Sequence, residues 1–368
     1  MEALGLTGLF GGAYAGRRVL VTGHTGFKGS WLALWLQALG AEVSGLALDP
    51  ETQPAHWDLL GLRLAHDVRL DLADAGGVAR AVDAIRPEVV FHLAAQPFVR
   101  RSYRDPRGTF ASNVSGLVHL FEAIRACPSV RVAVNATTDK VYEPHDAPAG
   151  YAETDPLGGH DPYSTSKACA ELVTTCYRRS YFDHDDGRGH AVRLATARAG
   201  NVIGGGDWGE DRLVPDLVRA VSAGRPLRIR SPAATRPWQH VLDPLSGYLR
   251  LGQCLLAGTL AGDAWNFGPA PEDSLTVGDV VARLHERWPL LQVDIDPGPH
   301  PHEAPQLRLD CRKASHDLQW RPVWHAGVAL ARTADWYRAW LGDGELRTRD
   351  DLAAYIADAR AAGMAWTR

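Results

Sequence analysis

Short apolar runs alternate with stretches of helical spacing through the first two hundred residues. Residues 19–21 are an apolar run the length of a buried strand, and residues 30–39 (SWLALWLQAL) space their apolar positions as a helix does. Residues 41–48 and 68–72 read as a second and a third strand. Residues 75–85 read as a helix that Pro87 ends. Residues 89–94 (VVFHLA) are continuously apolar, the pattern of a parallel strand covered on both faces. Residues 110–126 predict a helix, 130–137 a strand, 164–181 a long helix and 191–199 a further strand. This alternation predicts an α/β fold, a Rossmann-like doubly wound parallel sheet.

The pattern changes after about residue 204. Helices are expected over residues 212–223, 246–256, 277–287 and 328–341, with a short strand over 227–230. Residues 264–267 (AWNF) are a candidate strand returning to the main sheet. The expected division is a dinucleotide-binding domain over 16–203 with a return segment at 234–268. A smaller mixed α/β substrate lobe takes 204–233 and 269–345. Residues 1–15 lack the basic start and cleavage site of a signal peptide and read as a ragged extension.

Composition narrows the class without changing that picture. Hydrophobic residues are 45% and charged residues 22%, and the formal net charge is -4. That balance is ordinary for a globular protein and points to neither a nucleic-acid nor a membrane surface. No apolar run approaches the roughly 18 residues of a membrane span. The five cysteines are scattered without zinc-ligand spacing, which fits reduced thiols in the cytoplasm. His300, His302 and Glu303 form a cluster read as a pocket rim or solvated loop before a metal site, so no metal is expected.

Two motifs carry chemistry. Gly23, Gly26 and Gly29 form G-x-x-G-x-x-G between the first strand and the first helix. That order places helix N-terminal N–H groups where the pyrophosphate of a dinucleotide can sit. Further along, Tyr163 and Lys167 are four residues apart at the start of the long helix, on one face. An ammonium beside a tyrosine favours its phenolate, which suits removal of a proton from a sugar hydroxyl.

Together these motifs resemble the extended short-chain dehydrogenase/reductase superfamily. The segments around Asp71-Leu72, His92 to Gln96, Thr137 to Lys140 and Arg198 to Gly204 fit the resemblance, which spans nearly all of the chain after residue 16. A Thr-Asp pair ahead of the tyrosine is similar to that of the nucleotide-sugar 4,6-dehydratases. Those enzymes usually continue with glutamate, whereas this chain has Lys140. With GHTGFKGSW, ATTDKVY, NVIGGGDW and RPWQHVLDPLSGYL, the chain resembles the CDP-glucose 4,6-dehydratases.

The resemblance implies a redox-neutral reaction on a nucleotide sugar, CDP-glucose, with NAD. Tyr163 would take the O4 proton, Thr138 would bind O4, and Asp139 would protonate the departing 6-hydroxyl. Lys140 is either the base at C5 or an ion-pair partner of Asp139. Lys167 would also bind the nicotinamide ribose. Implied cofactor contacts are Gly23, His24, Gly26, Phe27, Lys28, Gly29, Asp71, Leu72, Leu93, Ala94 and Ala95, with Asp49 a candidate for the ribose. His24 and Lys28 inside the glycine turn are unusual, face adenosine or phosphate in this reading, and leave NADP as an alternative to NAD. Exchangeable cofactor binding is the expectation.

Implied substrate contacts are Gln96, Ser102, Asn201, Arg212, Leu213 and Val214. Arg236 is the expected diphosphate partner, with Arg308 a second candidate. Trp208 and Trp238 wall the pocket or stack on the sugar. Arg100 and Arg101 are either phosphate contacts or solvated charges. The helices over 110–126 and 164–181 resemble a pair that forms a dimeric four-helix bundle, which implies a homodimer.

Overall fold

The structure is a computed structural model that describes residues 6–145, 147, 149–182, 191–229, 231–288, 292–296, 298 and 308–368. Seven strands make one sheet: β1 (Arg18–Thr22), β2 (Glu42–Ala47), β3 (His66–Arg69), β4 (Val89–His92), β5 (Val132–Ala136), β6 (Arg193–Ala199) and β7 (Ala264–Phe267). Their spatial order is β7-β6-β5-β4-β1-β2-β3, and every pairing is parallel. The AWNF segment does return to the sheet, beside β6. The order reverses at β1, which lies between β4 and β2, and such a switch point opens a crevice at the strands' carboxyl ends.

Successive side chains of a strand point to opposite faces. Val19 and Val21 of β1 therefore join one core and Leu20 the other. The first core holds Trp31 and Trp35 of α1 (Phe27–Ala38) and Leu245 and Leu249 of a helix over Leu242–Ala257. The second packs Val78, Val82 and Ile85 of α2 (Ala75–Ile85) against Leu117, Leu120 and Phe121 of α3 (Gly116–Ala126). β4 and β5 are buried at every position, as their unbroken apolar runs require.

Two element boundaries differ from expectation in ways that shape the site. A π turn at Ala111–Ser115 interrupts the helical run over 110–126. It includes Asn113, whose Nδ2 donates to Gln96 O at 3.0 Å and Ser166 Oγ at 2.9 Å. The long helix, α4 (Pro162–Tyr177), starts two residues early because Asp161 caps it, accepting from Ser164 N at 2.9 Å.

The segment ahead of residue 15 is a second correction. Leu6, Leu9, Phe10 and Tyr14 are buried, and Phe10 stacks on Trp366 at 5.0 Å. Phe10, Gly11 and Gly12 have positive φ, so this packing follows neither strand nor helix periodicity. A third apolar cluster, separate from the sheet cores, gathers Trp208, Val214, Leu217, Trp238, Val280, Leu284, Trp336 and Tyr337.

Candidate active site

The glycine turn joins β1 to α1 at the crevice. Gly23 has φ +73°, and a Cβ there would lie 2.7 Å from Ala94 N. A Cβ on Gly29 would lie 2.0 Å from Gly23 O, so only glycine lets α1 approach the strand this closely. Gly26 caps α1 without a side chain, which leaves the first-turn N–H groups to an anion. These features fit a dinucleotide pyrophosphate.

A cavity of about 700 Å³ runs from this turn across the carboxyl ends of the strands. At one end it is lined by Gly23, Gly26, Phe27, Gly29, Asp71, Leu72, Leu93, Ala94 and Ala95. Asp49 lies on its rim, two residues beyond the end of β2, with a side chain 86% exposed and 3.9 Å from Arg69 Nε. At the other end stand Asn201, Arg212, Leu213, Val214 and Arg236. Thr138, Asp139, Lys140, Tyr163 and Lys167 line the stretch between.

A short turn after β5 and the first turns of α4 bring the chemical groups together. Thr138 Oγ1 donates to Asp139 Oδ1 at 3.0 Å, and the same hydroxyl draws the Tyr163 phenol's pKa down against the effect of burial. Asp139 is buried, its Oδ2 has no hydrogen-bond partner among the described residues, and burial holds its carboxyl above the usual range against the pull of Lys140, Thr138 and Arg236. A raised pKa favours the protonated carboxyl, the form that can donate to a leaving hydroxyl. Lys140 lines the cavity, and no ion pair joins it to Asp139 among the described residues.

The tyrosine departs from expectation. Burial pushes the Tyr163 phenol up to about 12, and Arg212 rather than Lys167 is the cation that pulls it down. Lys167 Nζ donates to Ala136 O at 3.1 Å, and burial lowers its pKa to about 8. In this state the phenol is protonated at neutral pH, and the phenolate needs further positive charge beside it.

Lys28 faces the catalytic end of the cavity, not the adenosine side. It is half-buried near Arg212, Asp139 and Lys167, and its pKa falls to about 8, first through loss of solvent around the ammonium. His24 is a clear correction. Its side chain is fully buried outside the cavity lining, with Nε2 2.9 Å from Asp67 Oδ1 and its ring edge-on to Trp57. The space it fills exists because Gly45 on β2 has no Cβ; one there would meet the imidazole at 2.4 Å.

Three expected substrate contacts also lie off the lining. Gln96 Oε1 accepts from Phe98 N at 2.6 Å, and Nε2 donates to Thr109 Oγ1 at 2.9 Å, so the amide shapes the loop after β4. Ser102 is buried and donates to Val99 O at 2.7 Å inside its own short helix. The Arg308 carbonyl accepts from Tyr151 N at 2.9 Å, next to the bridge that pairs Tyr151 with Leu309. Arg100 and Arg101, each about a third exposed, are ion-paired: Arg100 to Asp211, and Arg101 to Glu51 and Glu210. Trp208 and Trp238 are buried wall residues, and Trp238 Nε1 donates to Leu275 O at 3.1 Å. The cluster His300, His302 and Glu303 lies outside the described residues.

One functional group was missed. Glu171, one turn beyond Lys167 on α4, accepts from Thr137 Oγ1 at 2.5 Å, Thr196 Oγ1 at 2.8 Å and Arg198 Nη2 at 2.9 Å. Arg198 Nη1 donates to Tyr142 Oη at 2.9 Å, which donates to Asn266 Oδ1 at 2.6 Å. This network ties α4, β6 and β7 to the Thr137–Asp139 turn. Its signals were an acid at i+4 from Lys167 and an arginine within the apolar strand RLATARA.

A parallel sheet with this turn and a Thr-Asp/Tyr-Lys constellation defines a nucleotide-dependent oxidoreductase-type fold. The chain belongs to the NAD dependent epimerase/dehydratase family, whose model matches residues 19–267. It is 45% identical over 331 residues to CDP-glucose 4,6-dehydratase of Salmonella typhimurium, covering 89% of this chain and 92% of the relative. It is 30% identical to dTDP-glucose 4,6-dehydratase of Mycolicibacterium smegmatis, covering 88% and 93%. Among solved structures, DesIV, a dTDP-glucose 4,6-dehydratase from Streptomyces venezuelae with NAD bound, superposes with a TM-score of 0.73 at 26% identity, covering 87% and 97%.

Proposed function

We infer that this chain is an NAD-dependent nucleotide-sugar 4,6-dehydratase, and that its substrate is CDP-glucose. The product is CDP-4-keto-6-deoxyglucose, with loss of one water. The observation that carries the reading is the buried Asp139, its carboxyl raised above the usual range by burial, beside Thr138 and Tyr163. An acid at that point serves elimination at C6, which a 4-epimerisation does not require. The likeness to the Salmonella typhimurium relative supports the cytidine nucleotide.

When bound, NAD supplies a hydride acceptor and donor and, in its oxidised form, a positive charge that favours the Tyr163 phenolate. Gly23, Gly26 and Gly29 hold it at the N-terminus of α1, and Asp71, Leu72 and Leu93 to Ala95 line its path. Tyr163 takes the proton from O4 while Thr138 orients that oxygen. Lys140, free of an ion pair with Asp139, removes the proton at C5. Asp139 gives its proton to the 6-hydroxyl, which leaves as water. Arg212 and Arg236 hold the diphosphate, with Asn201, Leu213 and Val214 around the nucleotide.

Residues 204–233 and 269–345 form the substrate lobe in this account, and residues 16–203 with 234–268 the dinucleotide domain. No helix among the described residues is long and apolar enough to cross a membrane. A cytoplasmic homodimer paired through the helices over 110–126 and 164–181 completes the proposal. The test is to offer CDP-, dTDP-, GDP- and UDP-glucose with NAD or NADP and assay the 4-keto-6-deoxy sugar. CDP-glucose with NAD is expected to give the highest kcat/KM. No product from CDP-glucose with either cofactor contradicts the assignment.

A further inference from the structure

Arg101 lies in the short helix Val99–Arg104, which follows the Leu93–Ala95 edge of the cavity. Its Nη1 donates to both carboxylate oxygens of Glu51 at 2.9 Å, and its Nε donates to Glu210 Oε1 at 3.0 Å. Arg104 Nη2 reaches the same Glu210 oxygen at 3.4 Å, and Arg100 Nη1 reaches Asp211 at 3.4 Å. Glu51 belongs to the cavity wall on the Asp49 side, and Glu210 and Asp211 belong to the wall that leads into Arg212. One guanidinium thus ties together three separate segments around the cavity.

Phe98 supports the arrangement from inside. Its ring lines the cavity and carries the guanidinium of Arg101 at 4.6 Å and that of Arg212 at 5.2 Å. A planar fork can serve two carboxylates at once, which a lysine cannot do with the same geometry. The side chains are partly exposed, at 32% for Arg101, 50% for Glu51 and 41% for Glu210. Such pairs are individually weak and screened by salt, so they can open and re-form readily.

We propose that Arg101, with Glu51 and Glu210, forms a clasp across the cavity that sets the rate of dinucleotide exchange. Arg101 is a positioning residue here: it acts by holding the walls together. The clasp rests on the dinucleotide reading of the cavity. It also gives a structural cause for exchangeable binding, because partly exposed ion pairs close the cavity only transiently.

The test is stopped-flow release of NADH from the full-length protein, read by nucleotide fluorescence. Arg101→Gln is expected to speed release by roughly threefold to tenfold. Glu51→Gln and Glu210→Gln are each expected to speed it as well, by smaller factors. Wild-type release should accelerate between about 0.05 and about 0.5 M salt, and Arg101→Gln should show a flatter dependence. A direct contact from Arg101 to a cofactor phosphate has the opposite signature. Removing either acid then frees the guanidinium and slows release. Slower release from Glu51→Gln or Glu210→Gln, or unchanged release in all three variants, overturns the clasp while leaving the dinucleotide reading intact. Absence of NADH binding to the wild-type protein overturns both.

Discussion

Two ion-pair systems hold segments that line the same cavity, with nearly the same bond lengths and different surroundings. Arg198 and Glu171 meet at 2.9 Å with side chains 4% and 2% exposed. Arg101 meets Glu51 and Glu210 at 2.9 and 3.0 Å with a third to a half of each side chain in solvent. Distance therefore does not rank them; desolvation does. Removing one partner of a buried pair strands a charge in a low-dielectric interior, whereas water replaces a lost partner at the surface. The buried pair fixes the turn that carries Thr138 and Asp139. The exposed set can open.

The largest expected effect comes from Glu171→Gln, which leaves Arg198 charged and buried. It should cost about 3–5 kcal/mol, seen as a lower denaturant midpoint. A loss below about 1 kcal/mol, the value of a surface pair, erases the contrast.

A buried acid with no ion pair among the described residues sharpens the comparison. Asp243 is fully buried, its Oδ1 accepts from Val323 N at 2.7 Å and Tyr355 Oη at 2.8 Å, and burial raises its pKa to about 7. An unfolded aspartate titrates near roughly 4. The folded state therefore binds the extra proton between those values, and its stability falls as pH rises through that window. Above about 7 the penalty is complete. Asp243→Asn keeps an acceptor and removes the titration, so the variant should gain on wild type by a few kcal/mol between about pH 5 and 8. Parallel stability curves over that range contradict the account. The smallest effect is that of Arg101→Gln, a threefold to tenfold change in release that corresponds to roughly 1 kcal/mol.

The parts legible in the sequence are those whose geometry is local. Gly23, Gly26 and Gly29 lie on one turn, and Tyr163 and Lys167 on one helix face, so spacing alone places them. His24 sits on the same turn, yet its direction depends on the missing Cβ of Gly45 in a neighbouring strand. Gln96 and Ser102 turn inward because the loop after β4 needs their hydrogen bonds. Glu51, Arg101 and Glu210 are far apart in the chain, and no periodicity joins them. The helix over Thr348–Ala361 was not among the expected elements, although Leu352, Tyr355, Ile356 and Ala359 are spaced as one buried face.

Turnover of CDP-glucose with NAD in heavy water tests the central claim most directly. Asp139 and Lys140 at the cavity are assigned to elimination across C5 and C6, followed by reprotonation at C5 from a solvent-exchanging group. The 4-keto-6-deoxy product should therefore carry one deuterium at C5. Product without deuterium at C5, or recovery of a 4-epimer with no loss of water, contradicts the account.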